Sequence, residues 1–209
     1  LMLCCRFWAD QPRNFPVSSG ALYNKLIKAF YLWQSEWAPT KPGQQDELAQ
    51  LLGQLAKQML GENQADHRPL SPVEVEKIFG KDSPLLRSAL QLGWLIPKTA
   101  VRKGVWERGY GFADDTFRDY FAALAIADWH FFLDIYRHQY RIFDPEWQRV
   151  LAFWWGREDI SLVNKQAFLQ AMLEFDDRCS PENFYGLRAL ECAALALREC
   201  PDLAQAAHL

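Results

Sequence analysis

The sequence predicts a mainly α-helical fold: a winged-helix domain with one β-hairpin, followed by an α-solenoid-like helical arm. Three observations lead to this prediction. Helix-start signals and apolar residues at helical spacing recur along most of the chain. Two short apolar segments, residues 94–97 and 105–112, interrupt the helices and are typical of paired strands. After residue 112 the helical spacing returns, with short connections between successive helices.

Composition limits the classes of protein to which the chain can belong. Its 209 residues suffice for one large or two small domains, and 50% are hydrophobic, so a sizeable core can form. The 23 basic and 26 acidic residues give a net charge of -3, which provides no general attraction to nucleic acid or anionic membrane. No apolar run approaches the roughly 20 residues that span a bilayer, so no membrane partner is expected.

The cysteines favour a reducing compartment. Their number is odd and no two have the CxxC spacing; they are Cys4, Cys5, Cys179, Cys192 and Cys200. We therefore expect buried free thiols in a cytoplasmic protein rather than a secreted disulfide framework. Because the first residue is Leu1 rather than Met, we also expect the chain to be a fragment of a longer protein.

The first third of the chain predicts three helices. Residues 1–8 are typical of the end of a buried helix, and Ser18 or Ser19 can cap the next one. The apolar positions of that second helix are Leu22, Leu26, Phe30 and Trp33 or Trp37. Residues 39–43 are the clearest linker. The third helix has an apolar face formed by Leu48, Leu51, Leu52, Leu55, Met59 and Leu60.

The winged helix is predicted from the elements that follow. Residues 71–74, Ser-Pro-Val-Glu, form a capping-box helix start. Ser83 and Pro84 start another helix over residues 85–92. The two apolar segments then make a hairpin with a long basic tip at residues 98–104. Helix, helix, helix and hairpin in this order predict a winged helix.

Residues 112–123 mark the change from strand back to helix. Asp114 or Asp115 can cap the helix start, where an acid also suits the positive end of the helix dipole. Apolar side chains recur at helical spacing as far as Ile135, which predicts one long amphipathic helix. We expect four core residues to join the winged helix to the arm: Phe117, Tyr120, Phe121 and Leu124.

The remaining residues predict helices alone. Asp144 and Pro145 start one with Trp147, Trp154 and Trp155 on it, and two more cover residues 162–175 and 181–199. Successive helices with short connections favour stacked pairs, although no clean sequence repeat is visible.

No pattern predicts catalysis or a metal site. The chain has no GxxxxGK[ST] loop and no GxGxxG, so by itself it should bind no cofactor and hydrolyse no ATP. The histidines lack the spacing for joint metal ligation on one helix; they are His67, His130, His138 and His208. We therefore predict a non-enzyme with no catalytic residue.

One basic cluster permits a different function. Lys98, Arg102, Lys103 and Arg108 lie in or beside the predicted hairpin tip, where a DNA-binding winged helix contacts phosphates. The helix that would enter the groove has a single basic residue, Arg87. A solvated loop is therefore favoured over nucleic acid contact. A winged-helix DNA-binding protein with a helical dimerisation tail stays as the alternative, and a plain helical scaffold is the least favoured function.

Residues 112–123 also resemble the segment that closes the winged helix of NACHT-type (STAND) signalling NTPases. The family pattern F-x-H-x-T-F-Q-E-Y-F-A-A is matched by Phe112, Thr116, Phe117, Tyr120 and Phe121. Three further stretches are similar to family segments in the expected order: residues 1–5, 15–26 and 145–156.

The resemblance implies a division into domains and a regulatory role. Residues 1–38 would end the NACHT helical lid, 39–135 would form the winged-helix domain, and 136–209 would begin a superhelical, HEAT-like arm. Such a region is non-catalytic and packs on the nucleotide-binding domain in cis. It controls nucleotide-dependent activation and homo-oligomerisation of the parent protein. ATP and ADP are implied for the full-length parent only.

Asp114 departs from the family pattern. Many members have a His at this position, which reaches the β-phosphate of bound ADP. A carboxylate repels phosphate, so we expect Asp114 to be a helix cap rather than a nucleotide contact.

Overall fold

The computed structural model describes residues 5, 9, 16–61, 69–102, 105–178 and 183–203, with only the backbone described at 102 and 105. The chain is mainly helical, with a small two-stranded hairpin sheet. It divides into two compact units, of which one is residues 28–125 and the other combines residues 1–27 with 126–209. The domain boundaries expected from the sequence, after residues 38 and 135, stay predictions.

The unit of residues 28–125 contains most of the predicted winged-helix segment. It begins within helix α1 (Ser19–Trp33). Helices α2 (Pro42–Gly61), α3 (Pro72–Phe79) and α4 (Pro84–Gln91) precede strands β1 (Leu95–Arg102) and β2 (Val105–Phe112), and helix α5 (Asp115–Leu124) ends the unit. The predicted linker at residues 39–43 is shorter than expected, because Pro42 and Gly43 already belong to the first turn of α2.

The predicted capping box at the start of α3 is confirmed. The Ser71 hydroxyl accepts a hydrogen bond from the Glu74 backbone N–H at 3.3 Å, and the Ser71 N–H donates to the Glu74 carboxylate at 2.8 Å. Pro72 occupies the first turn, where its missing N–H costs nothing. The start of α4 at Pro84 is also confirmed, although Ser83 makes no capping hydrogen bond through its side chain.

The hairpin has a shorter tip than the sequence predicted. Strand β1 continues through the expected loop as far as Arg102, and the antiparallel pairing runs from Leu95 opposite Phe112 to Arg102 opposite Val105. The prediction of a long tip was wrong because the basic residues there alternate with Thr99 and Val101, β-branched residues that favour a paired strand. Between α2 and α3, Leu70 exchanges two backbone hydrogen bonds with Tyr110, at 2.9 and 2.8 Å.

Helix α5 packs on α2 at close range. A Cβ atom added to Gly53 would lie 2.7 Å from both the Ala125 Cβ and the Phe121 carbonyl oxygen, so only glycine permits this approach. Tyr120 and Phe121 are buried as predicted, whereas Phe117 and Leu124 are partly exposed.

The long helix predicted from residue 114 to Ile135 is wrong, because α5 ends at Leu124. The carbonyl of Ile126 accepts hydrogen bonds from the Trp154 indole at 2.9 Å and the Arg157 guanidinium at 2.7 Å, so it is not available to a continuing helix. Asp128 then caps a new 3-10 turn by accepting from the His130 N–H. Ile135 is 46% exposed.

The other unit contains residues 16–27 of the chain together with the described residues after 125. Helices α6 (Gln148–Trp155), α7 (Leu162–Leu173) and α8 (Phe184–Glu199) confirm the three predicted helices within a few residues. The expectation of helices alone is wrong, since strands β3 (Leu133–Asp134) and β4 (Gln139–Tyr140) form a small hairpin. Of residues 1–8, only Cys5 lies within the described residues, and it is helical and exposed rather than buried.

Aromatic rings fill the core of this unit. The rings of Trp155 and Phe168 stack with centroids 4.9 Å apart, and Trp154 and Phe132 lie within 6.1 Å of Phe168. The start of α1 is tied to the end of α8, because the Ser19 N–H donates to the Glu199 carboxylate at 2.7 Å.

Candidate functional site

Asp114, the position at which the family resemblance implies a phosphate sensor, caps helix α5. Its carboxylate accepts a hydrogen bond from the Thr116 backbone N–H at 2.7 Å. Burial raises the pKa of the carboxyl group, but the hydrogen bonds from Thr116 and Phe117 outweigh burial, and the net pKa is below its usual 3.8. The predicted role of helix cap is confirmed. The neighbouring Asp115 lies in the first turn of the helix and is exposed.

The other residues of the matched motif belong to an aromatic core around Trp94. The Trp94 ring lies 4.9 Å from Phe117 and 5.4 Å from Phe121, both edge-on. Phe112 and Tyr120 are buried and also lie against Phe121. Thr116 contributes its N–H to the cap. These residues therefore have a packing role in this unit.

Asp119 of helix α5 lies in the interior. It is 2% exposed and accepts hydrogen bonds from the Arg118 Nε at 2.9 Å and Nη2 at 2.8 Å. Arg118 also lies 3.3 Å from Asp115. The buried carboxylate is therefore matched by a guanidinium, as burial of a charge requires.

The basic residues of the hairpin do not form one patch among those described. Lys98 lies opposite Gly109, whereas Arg108 lies opposite Thr99, so the two side chains are on opposite faces of the sheet. The side chains of Arg102 and Lys103 lie outside the described part of the chain. A shared phosphate-binding surface would need its cations on one face.

The exposed face of the hairpin carries apolar and aromatic side chains instead. We call it the hairpin face. It is formed by three pairs of residues that lie directly across the two strands from each other: Pro97 with Tyr110, Thr99 with Arg108, and Val101 with Trp106. Trp106 is 72% exposed and Val101 is 57% exposed. The sequence did not predict this face, because the residues from 98 to 104 were expected to form a loop. Their alternation of polar and β-branched residues was the available signal.

Helix α4 has little basic character, as the sequence predicted. Its exposed residues are Pro84, Arg87 and Gln91, so Arg87 is the single cation of the helix. A helix that binds in the DNA major groove needs several polar side chains that reach base edges, and α4 has few of them.

The described cysteines and histidines suggest no metal site. Cys5, Cys192 and Cys200 are free thiols. Burial raises the pKa of the Cys192 thiol. The His130 ring lies 2.7 Å from the Asp128 carboxylate on the surface. No group of three potential metal ligands occurs among the residues that the structure describes. No helix in the described ranges is both long and apolar enough to cross a membrane.

Comparisons with known proteins leave the chain without an assigned family. No protein-family model, no curated protein and no solved structure matches it.

Proposed function

We propose that residues 42–112 form a winged helix that acts as a protein-packing, regulatory domain of a NACHT-type signalling NTPase. Contacts among α2, α3, α4 and the hairpin support the winged helix. The pairing of Leu70 with Tyr110 also supports it, because it joins the connection between α2 and α3 to the hairpin. The resemblance of residues 112–123 supplies the family.

The hairpin face carries this proposal. Trp106 and Val101 lie side by side and exposed, and the two described cations of the hairpin are on opposite faces. Exposed aromatic side chains are enriched where proteins bind proteins, whereas phosphate contact requires clustered cations. A protein surface is therefore the better partner for this hairpin than DNA. In the proposed parent that surface is the nucleotide-binding domain in cis.

The helices after residue 147 support a helical arm. Helices α7 and α8 pack against each other, and α8 also packs on α6, as in stacked helix pairs. The arm and the winged helix together would hold the nucleotide-binding domain inactive until nucleotide exchange releases it. Asp114 already caps α5, so in this protein the release would not depend on a phosphate-sensing side chain at that position.

The first test is the reading frame upstream of Leu1. A GxxxxGK[ST] loop followed by a Walker-B strand within about one domain length is expected. An upstream region without one would overturn the family assignment.

The second test uses the parent protein with Trp106→Ala. Loss of packing on the nucleotide-binding domain should speed release of a fluorescent ADP analogue and increase oligomer formation with ATP, followed by light scattering. Trp37→Ala is the matched control, because Trp37 is 85% exposed and lies outside the hairpin. Equal release rates and oligomer sizes in wild type and Trp106→Ala would contradict the proposed role.

The DNA-binding alternative is tested with the same chain. Anisotropy of a labelled random duplex should stay unchanged on addition of the protein. Binding that weakens steeply between about 50 and 200 mM salt would instead support phosphate contacts.

A further inference from the structure

A cavity of about 650 Å³ lies in the unit of residues 1–27 and 126–209. Its wall combines the residues that lead into α1, the end of α6, the start of α7 and the residues that follow α8. The volume is within the range of about 300–1,000 Å³ that is usual for small-molecule sites.

Lys165 is a buried cation in the wall of this cavity. The residue is 5% exposed. Its Nζ donates to the Arg157 carbonyl at 2.5 Å and lies 3.8 Å from the Cys200 sulfur. No carboxylate of the described residues lies within 4.0 Å of this Nζ. Burial of an ammonium without a counter-ion is costly, so the site favours an anion beside it.

The other buried charges of the wall are already matched. The Arg157 guanidinium binds both carboxylate oxygens of Asp159, at 2.9 and 2.5 Å. The Glu199 carboxylate accepts hydrogen bonds from the Ser19 N–H and from Arg198. Lys165 is therefore the buried charge, among those described in this wall, that has no carboxylate in contact with it; the Asp159 carboxylate, which Arg157 already binds, acts on it only from a longer distance.

Trp155 also belongs to this wall, and its side chain is fully buried. The indole N–H of Trp155 is buried and has no hydrogen-bond partner in the described structure. Buried indole N–H groups usually have one. Helices α1 and α7 also begin at this wall, near Ser18 and Ser161, and the positive ends of their dipoles add to the attraction for an anion.

We propose that this cavity binds an organic monocarboxylate with an apolar body, whose carboxylate pairs with Lys165. The Lys165 ammonium supplies the positive charge with which a carboxylate pairs. The exposed acids Glu158 and Asp202 also line the cavity; they outnumber Lys25, the further lysine of the wall, and disfavour a more highly charged anion. Apolar residues of the wall would hold the body: Pro16, Val17, Ala21, Ile160, Leu162 and Pro201.

The experiment is titration calorimetry of the full chain with octanoate as the probe. Octanol is the neutral control of the same length, and octyl phosphate tests whether a doubly charged head binds equally well. We expect octanoate to bind, octanol to bind at least about tenfold more weakly, and octyl phosphate to bind more weakly than octanoate. No binding of octanoate, or equal binding of octanol, would overturn the proposal. Tighter binding of octyl phosphate would overturn the carboxylate assignment.

Two variants locate the binding site. Lys165→Met keeps the length of the side chain and removes the unmatched charge, so it should fold and should lose octanoate affinity by at least about tenfold. Ala21→Leu keeps Lys165 and reduces the cavity, and it should also weaken binding. Lys77→Met is the control, because Lys77 is exposed on α3 in the other unit. Circular dichroism melting verifies folding of each variant, and unchanged affinity in both Lys165→Met and Ala21→Leu would place octanoate elsewhere.

Discussion

Gly109 lies so close to Leu70 that a Cβ atom on Gly109 would be 2.2 Å from the Leu70 carbonyl oxygen. The same carbonyl accepts a hydrogen bond from the Tyr110 N–H, the residue next to Gly109. A side chain at residue 109 would therefore push away the backbone that pairs with the hairpin. Glycine at this position is what allows the segment before α3 to join β2.

Gly109→Ala should lower the free energy of unfolding by about 1–3 kcal/mol, because the contacted atoms are backbone atoms that cannot move independently. Urea unfolding followed by tryptophan fluorescence measures the change. Gly43→Ala is the control: no atom lies within 4 Å of an added Cβ there, and alanine in helix α2 should be neutral or stabilising by up to about 1 kcal/mol. A Gly109→Ala protein as stable as wild type would contradict the close approach.

Phe121→Ala should cost about 3–5 kcal/mol, because the ring is fully buried against Trp94 and Phe112. Thermal and urea unfolding both report this change. The exposed Trp37 serves for comparison, since Trp37→Ala removes a larger side chain and should change stability by less than about 0.5 kcal/mol. A loss below about 1 kcal/mol for Phe121→Ala would mean that this face of α5 is not core.

Asp114→Ala should cost about 1 kcal/mol through loss of the helix cap, and Asp114→Asn should be nearly neutral, because Asn caps about as well. The lowered pKa of the Asp114 carboxyl determines how the stability of the protein changes with pH. The ionised cap stabilises the protein above the unfolded-state pKa, and this contribution is lost as the pH falls through the lower, folded-state pKa. The stability of wild type relative to Asp114→Asn should therefore stay nearly constant at neutral pH and decrease as the pH falls below about 4. An advantage that grows on acidification would contradict the cap geometry.

Tyr31 should make stability fall at alkaline pH. Burial raises the pKa of its hydroxyl from the ordinary 10.0 to about 12; the nearby Trp94 indole opposes this increase, and the charge of Asp46 adds to it. Above pH 10 the unfolded state ionises while the folded state stays neutral, so the contribution of this group is lost as the pH rises to about 12. The two-unit difference corresponds to roughly 2–3 kcal/mol.

Tyr31→Phe isolates that contribution. The Tyr31 hydroxyl is buried beside the Trp94 indole N–H, which lowers its pKa, but the two groups are not aligned as a hydrogen bond in the described structure. Removal of the hydroxyl should therefore stabilise the protein at neutral pH by up to about 1 kcal/mol. Between pH 10 and 12, the free energy of unfolding of Tyr31→Phe should fall less than that of wild type, because the variant has no hydroxyl to ionise. Tyr136→Phe is the control, because Tyr136 is almost fully exposed and its change should leave both quantities unaltered. A destabilised Tyr31→Phe would indicate that the hydroxyl is bonded.

Local signals predicted the helix starts well, because each depends on neighbouring residues. The Ser71–Glu74 capping box and the Asp114 cap are formed within three residues of sequence. The end of α5 could not be predicted in this way. It depends on Trp154 and Arg157, about 30 residues further along the chain, which bind the Ile126 carbonyl.

The candidate sites depended still more on tertiary contacts. Nothing local predicted that Asp119 is buried, and its ion pair with Arg118 in the folded unit makes a buried carboxylate tolerable. The Lys165 cavity joins residues near 20, 160 and 200, which no local pattern relates. By contrast, the opposite faces of Lys98 and Arg108 follow from strand alternation once the hairpin register is known.

The hydrogen bond between Ser19 and Glu199 has a consequence for synthesis of the protein. Its partners are 180 residues apart in the chain. At roughly 5–20 residues per second, a ribosome needs roughly 10–40 s to make the intervening segment. Residues 28–125 are contiguous and can complete their own contacts during this time. Residues near Ser19 must instead wait until Glu199 has been made, so a chaperone that meets this protein during translation would act on the segment around Ser19 for longer than on residues 28–125.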